Sequence, residues 1–178
     1  MQPPRFVPDE AALDQIGRGA KQWTCPHCRR IGTLNAHGAL RGVAENAPGK
    51  DARRGRRFFC SNRHRRRGCG RTFSVRLAQV LVHATVRTGV WWRFCRERLA
   101  GRGILAAWEA ARSGFSLESA YRWWRRWREA EPALRTFLWR GREPPENLGT
   151  EVVRVFGAAD PVTTFQMREQ RSWPGFAS

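Results

Sequence analysis

Cysteine placement constrains this chain more than any other feature. Cys25 and Cys28 are separated by Pro26-His27, and Cys60 and Cys69 follow after the intervening residues 29–59. A Cys-x2-Cys turn puts two sulfurs on one side of the backbone, about the separation a tetrahedral Zn²⁺ requires. The intervening residues leave room for a β-hairpin and a loop. Cys69 is followed by Gly70-Arg71-Thr72-Phe73, and a Gly just after a ligand lets backbone N–H groups turn toward sulfur and offset thiolate charge. Phe59 and Phe73 are placed to pack over such a site.

Cys25, Cys28, Cys60 and Cys69 are therefore expected to hold one structural Zn²⁺ in a zinc ribbon. Four protein ligands leave no open position for a catalytic water. Residues 61–68 separate Cys60 from Cys69, wider than the usual second pair, and include Arg63, Arg65, Arg66 and Arg67. They read as a basic loop inserted into the second knuckle. His64 in that loop could replace a Cys, His27 lies inside the first knuckle, and the bland alternative is four small core cysteines. Cys95, beside Phe94 in a helical stretch, reads as a buried apolar residue.

Residues 1–15 carry Asp9, Glu10 and Asp14 and no apolar h-region, so no signal peptide is expected. The longest apolar stretch, about Val80 to Val90, is broken by His83, Thr85 and Arg87, so no membrane span is expected. These readings place the chain in a reducing cytoplasm, associated with the nucleoid, where metal binding is favoured over disulfides.

The formal net charge is +18. That excess argues against neutral metabolites or acidic proteins as partners and favours a polyanion. Resolved along the chain, the charge is +2 over 1–49, +10 over 50–76, +7 over 77–140 and −1 over 141–178. Apolar residues make up 41% and nine residues are Trp, which excludes a disordered basic tail. Nearly all the basic residues are Arg, the better fork for phosphates and guanine edges.

The expected fold class is α+β: a small β zinc ribbon, then a mainly helical domain. Residues 1–21 read as a loose leader and 22–76 as the ribbon, with strands at Ile31–Asn35, Arg56–Cys60 and Arg71–Val75 and a loop over Gly42–Gly55. Residues 77–140 read as the helical domain. Leu77, Val80, Leu81, Ala84 and Thr88 lie on one helical face, and further helices fall around Trp91–Leu99, Ile104–Arg112 and Leu117–Ala130, with a short one over Pro132–Trp139. Residues 141–178 read as a linker (Gly141–Gly149) and two short helices, the second capped by Asp160 with Pro161 in its first turn. Glu151–Phe156 is alternatively a strand.

Ile104 to Arg128 fits a helix-turn-helix register, with Gly114 in a left-handed turn and Ala110 at the helix contact. Leu117, Ala120, Tyr121, Trp124 and Trp127 are expected to face inward. Glu118, Ser119, Arg122, Arg125, Arg126 and Glu129 are expected to face out, as on a recognition helix in the major groove. Glu118, Ser119 and Arg122 would reach bases and Arg125 and Arg126 phosphates. Trp92 and Trp123 are expected partly outside the core. An ordinary helical hairpin with a solvated basic face is the alternative.

Trp23-Thr24-Cys25-Pro26-His27-Cys28, Arg56-Arg57-Phe58-Phe59-Cys60 and Cys69-Gly70-Arg71-Thr72-Phe73-Ser74, followed by a helix-turn-helix, resemble the N-terminal DNA-binding part of insertion-sequence transposases of bacteria. The resemblance covers about residues 22–130. It implies Cys25, Cys28, Cys60 and Cys69 as zinc ligands, Leu117–Ala130 as the DNA-contacting helix, and the terminal inverted repeats of an element as the target. Such enzymes hold two metal ions with three spaced carboxylates. Here only Asp9, Asp14, Asp51 and Asp160 exist as Asp, and none belongs to a domain of suitable size. The expectation is therefore a DNA-binding protein and not the enzyme, with Arg63, Arg65, Arg66, Arg67 and Arg71 as a second contact. An RNA-binding or ribosome-associated module is the alternative, and a nuclease using Asn62, His64 and His37 a weaker one. Phe156, Phe165 and Trp173 are candidate anchors for a protein partner or self-association through residues 150–178, or a cover for the helical core.

Overall fold

A computed structural model describes residues 1–44, 47–63, 67–139 and 147–176, with backbone alone at 44 and 47–51. The chain divides into two compact units, Met1–Ala44 with Gly49–Ala78, and Glu45–Pro48 with Gln79–Ser178.

The first unit is built on a four-stranded mixed sheet: β1 (Phe6–Val7), β2 (Leu34–Ala44), β3 (Ala47–Cys60) and β4 (Thr72–Leu77), in the order β1-β4-β3-β2. β3 and β4 run antiparallel, with Phe59 opposite Thr72 and Gly55 opposite Arg76. β1 pairs parallel with β4, Val7 opposite Leu77. Gly55 is required at its position, because a Cβ there would lie 2.4 Å from the Val75 carbonyl oxygen.

The N-terminal residues are ordered rather than a loose leader. Asp9 caps α1 (Glu10–Arg18) by accepting from the Ala12 N–H at 2.8 Å. Leu13 and Ile16, one turn apart, are buried with Phe6, Val7, Leu34, Phe58 and Val75. Arg53 of β3 bonds Asp14 at 3.1 Å and Glu10 at 3.5 Å, tying helix to sheet. Local spacing does not reveal this, because β1 pairs with residues some 70 positions away along the chain. The expected loop over Gly42–Gly55 is strand on both sides of residues 45–46.

The second unit contains α2 (Thr88–Leu99), α3 (Ile104–Ala111), α4 (Leu117–Leu138), α5 (Leu148–Phe156) and α6 (Pro161–Glu169). The expected helix over Leu77–Thr88 does not form. Leu81, Val82 and Val86 are buried in irregular chain, and Val80 bridges Arg87. Burial there is not confined to one helical face, so the spacing was coincidental. α4 continues through Pro132 instead of stopping at Ala130. A mid-helix Pro removes one hydrogen bond and costs roughly 3 kcal/mol, but the apolar stripe Trp127, Ala130, Leu134 and Leu138 runs unbroken across it into the core. Residues 150–156 are helical, not extended. Residues 141–146 of the expected linker lie outside the described residues, and Leu148 and Gly149 already belong to α5.

Aromatic side chains fill this core. Trp91, Trp92, Trp127 and Trp173 are fully buried, and Trp108 packs on Trp123 with ring centroids 4.6 Å apart. Trp92 and Trp123, expected partly outside, are inside. Phe156, Phe165 and Trp173 are also buried in this core. Gln166 is fully buried and satisfied at both ends: its Nε2 donates to the Val80 carbonyl at 3.1 Å, and its Oε1 accepts from the Trp173 N–H at 3.3 Å.

Replacing Gln166 with Leu leaves two buried backbone groups without those bonds and should cost about 2–3 kcal/mol, read as a lowered denaturant midpoint. In the first unit, the Arg53 guanidinium bonded to Asp14 holds that carboxyl below its ordinary value, against the smaller opposing effect of desolvation. A folded-state pKa below the unfolded one gives stability that is present above about pH 4 and is lost as pH falls through the depressed value. Asp14→Asn should therefore flatten the acid limb of a melting-temperature profile while leaving its neutral region nearly parallel.

Candidate metal centre and the exposed face of α4

Cys25 and Cys28 lie on the turn after the 3₁₀ segment Ala20–Gln22, Cys60 ends β3, and Cys69 precedes β4. The four sulfurs all lie within 4.8 Å of one another and form a candidate metal site. Cys25 Sγ is 3.8 Å from Cys69 Sγ, and Cys28 Sγ is 3.7 Å from Cys60 Sγ. With zinc–sulfur bonds of about 2.3 Å, a tetrahedron has sulfur–sulfur edges of about 3.8 Å. The donor set and its spacing therefore fit a single tetrahedral zinc.

The backbone is arranged for thiolates. The His27 N–H approaches Cys25 Sγ at 3.4 Å, and the Cys69 N–H approaches Cys60 Sγ at 3.3 Å. The Thr33 hydroxyl is 3.1 Å from Cys60 Sγ. Burial works against the Cys60 thiolate, but bonds from Thr33, the Cys69 N–H and the neighbouring thiols outweigh it and lower its pKa to about 7. Burial pushes the Cys25 thiol up to about 12, only partly offset by backbone N–H groups of Cys28 and His27. The two knuckles match: each second cysteine is followed by a left-handed residue, Arg29 (φ 58°) and Gly70 (φ 71°). The backbone N–H expected to turn toward sulfur beside Gly70 is that of Cys69, not that of Gly70 itself. Its N–H donates to the Cys60 carbonyl at 3.0 Å.

The wide spacing of Cys60 and Cys69 is explained by a pinch. The Gly68 N–H donates to the Ser61 carbonyl at 3.0 Å, and a Cβ on Gly68 would lie 2.1 Å from that oxygen and 2.8 Å from Cys60 Sγ. Ser61 and Gly68 thus take the two inner positions of a Cys-x2-Cys turn. Asn62, Arg63 and Arg67 are exposed at its base, and Arg71 is exposed just beyond it. His64, Arg65 and Arg66 lie outside the described residues, so the readings that use them are not placed. His27 Nε2 is 3.3 Å from the Thr72 carbonyl, and His37 packs near Phe59 at 6.2 Å. Phe73 stacks on Phe58 at 5.3 Å. Cys95 is fully buried in the helical core, where burial pushes its thiol up.

On α4 the inward stripe is turned toward Ser119 and Trp123 relative to the expected one. Ser119, Ala120, Trp123, Trp127 and Ala130 are buried, and Trp124 is half-buried beneath the Arg98 guanidinium. Ser119 is therefore not an outer-face residue; its hydroxyl accepts from Arg122 at 3.2 Å. Arg126 is also drawn in, stacked over Phe176 at 4.8 Å. Of the expected outer face, Glu118, Arg122, Arg125 and Glu129 are exposed, with Arg125 paired to Glu129 at 3.6 Å. Tyr121, expected inside, is 59% exposed, and Leu117 is exposed beside it. With Trp123 and Trp124 adjacent, either could head the apolar stripe, and only packing against Phe94, Trp108 and Phe115 chose Trp123. In the turn before α4 the left-handed residue is Arg112 (φ 50°), not Gly114, and the fully buried alanines of α3 are Ala107 and Ala111, with Ala110 half-buried.

Comparison with family models, curated proteins and solved structures finds no match to this chain. Among the described residues, no helix is long and apolar enough to cross a membrane.

Cobalt substituted at the four thiols should give intense thiolate-to-metal absorption in the near ultraviolet. Cys25→Ser should abolish it, and Gly68→Ala, which opens the pinch, should weaken metal retention ~10–100-fold. Affinity should fall as pH is lowered, because the metal must displace thiol protons, with Cys25 the hardest to deprotonate.

Proposed function

We propose that this is a zinc-containing protein that binds duplex DNA through the outer face of α4 and does no chemistry on it. The observation that carries the reading is the composition of that face. Leu117, Glu118, Tyr121, Arg122 and Arg125 are exposed on a helix that follows α3 across a short turn. Such a face combines forked donors for guanine or phosphate, an acceptor for cytosine, and apolar and aromatic surface for thymine methyl groups. Its first turn has the placement of a recognition helix.

The net charge of +18 supports a polyanionic partner. Arg63, Arg67 and Arg71, exposed in the zinc unit, supply a further basic surface, suited to phosphates rather than to base edges. Zinc is assigned a structural role: held by Cys25, Cys28, Cys60 and Cys69, it would offset part of the charge of four thiolates and tie the two cysteine turns together. The likeness of the cysteine and aromatic pattern to transposase DNA-binding modules points the same way, with the inverted repeats of a mobile element as the corresponding class of target.

Selection of bound duplexes from a random pool, followed by fluorescence anisotropy over a salt series, tests this. The expected outcome is one enriched motif and an affinity that falls steeply with salt. Arg122→Ala should cost about 1–3 kcal/mol and relax preference at one position. Deleting residues 62–67, which rejoins Ser61 to Gly68, should preserve metal binding and flatten the salt dependence. Preference for structured RNA over duplex at matched salt would replace the DNA reading, and binding indifferent to salt would end it.

A further inference from the structure

The helical unit contains a second charged feature, separate from the outer face of α4. Arg87 at the start of α2, Arg93 in its second turn, and Arg112 at the left-handed residue after α3 line one cavity of about 400 Å³ together with Asp160. All three arginines are exposed, so the cavity opens to solvent. Gly89 and Val90 also line it. Their N–H groups fall in the first helical turn, where helix bonding supplies no partner, and the N-cap residue Arg87 adds no side-chain cap.

Asp160 does not cancel this charge. Its Oδ1 accepts from the Thr163 N–H at 3.1 Å, and its Oδ2 accepts from the hydroxyls of Thr88 at 2.7 Å and Thr163 at 2.8 Å. The carboxylate is committed to capping α6 and to bracing it against α2. Three guanidiniums and one carboxylate line the cavity, so positive groups outnumber negative ones in its lining. Guanidinium forks match tetrahedral oxyanions in shape and charge, and a helix start adds its own partial positive charge.

We propose that this cavity is a phosphate site. Resting on the DNA-binding reading, we assign its occupant as a backbone phosphate flanking the segment contacted by α4. Arg112 is the residue that links the two functions, because it stands in the turn that leads from α3 into α4. Arg93 is positioned for the anion partly through its bond to the Ala111 carbonyl at 3.4 Å.

Two measurements on the full chain separate the site from the source of its ligand. In the first, inorganic phosphate is titrated into ¹⁵N-labelled protein. Saturable shifts at the Gly89 and Val90 amides, lost in Arg93→Gln/Arg112→Gln, are expected. Shifts that are absent, or that persist in the double variant, overturn the phosphate site whether or not the protein binds DNA. Arg112→Gln alone, an exposed substitution with an unchanged melting temperature, guards against misfolding of the double variant. In the second, anisotropy over a salt series compares wild type with Arg112→Gln on one duplex. The expected result is a log–log salt slope smaller by about one, the signature of one lost phosphate contact. An unchanged slope beside a positive phosphate titration overturns the backbone assignment and leaves free phosphate as the ligand. Absence of any duplex binding removes the reading this assignment rests on, while the phosphate titration still decides the site.

Discussion

Four sulfurs within 4.8 Å of one another create the constraint on which the zinc unit depends. As thiolates they repel; as thiols two of them are buried with little to gain. A divalent cation resolves the conflict, and the fold is arranged as if for it. β3 delivers Cys60 and β4 follows Cys69, so the sheet ladder fixes the separation of the second pair. The first pair is presented by a turn whose left-handed Arg29 repeats the geometry of Gly70 on the opposite knuckle. The pinch between Ser61 and Gly68 lets the chain carry an insertion without widening the metal site.

The helical unit is organised by a different force. Its core is aromatic, with Trp91 touching Trp127, Trp173 and Phe176. Rings of this size bury large areas and lock into edge-to-face contacts, so they dictate which face of each helix turns inward. The C-terminal segment takes part directly, through Phe156, Phe165 and Trp173 in the core and Gln166 bridging two backbone groups. A segment that carries none of the positive excess thus acts as the scaffold for one that carries much of it.

Arginine has several tasks in this chain, and net charge does not distinguish them. Arg53 ties α1 to the sheet through Asp14. Arg98, Arg126 and Arg171 lie over aromatic rings and cover the core with their stems. Arg122 and Arg125 project from α4, and Arg87, Arg93 and Arg112 gather at one cavity. The last two groups, with Arg63, Arg67 and Arg71 of the first unit, are the ones the proposed readings assign to a ligand. A count of charges predicts a polyanion, whereas their placement says where it would touch.

What could be read from the sequence was whatever local chemistry dictates. The Cys-x2-Cys turn, the α+β order, the Asp160-Pro161 helix start and the burial of Cys95 all rest on neighbours within a few positions. Non-local contacts decided the rest. β1 exists because β4 lies beside it, and Asp9 caps a helix whose apolar face has a sheet to cover. α4 passes through Pro132 because the core rewards its stripe on both sides. Ser119 is buried and Tyr121 exposed because Trp123 fills the space between Phe94, Trp108 and Phe115. Backbone preference and spacing are properties of a segment, but the direction a helix faces is set by the largest side chains that must be buried together. The four-cysteine cluster and the presence of an Arg-faced helix were therefore legible in the order of residues, whereas the residues that face presents were set by packing.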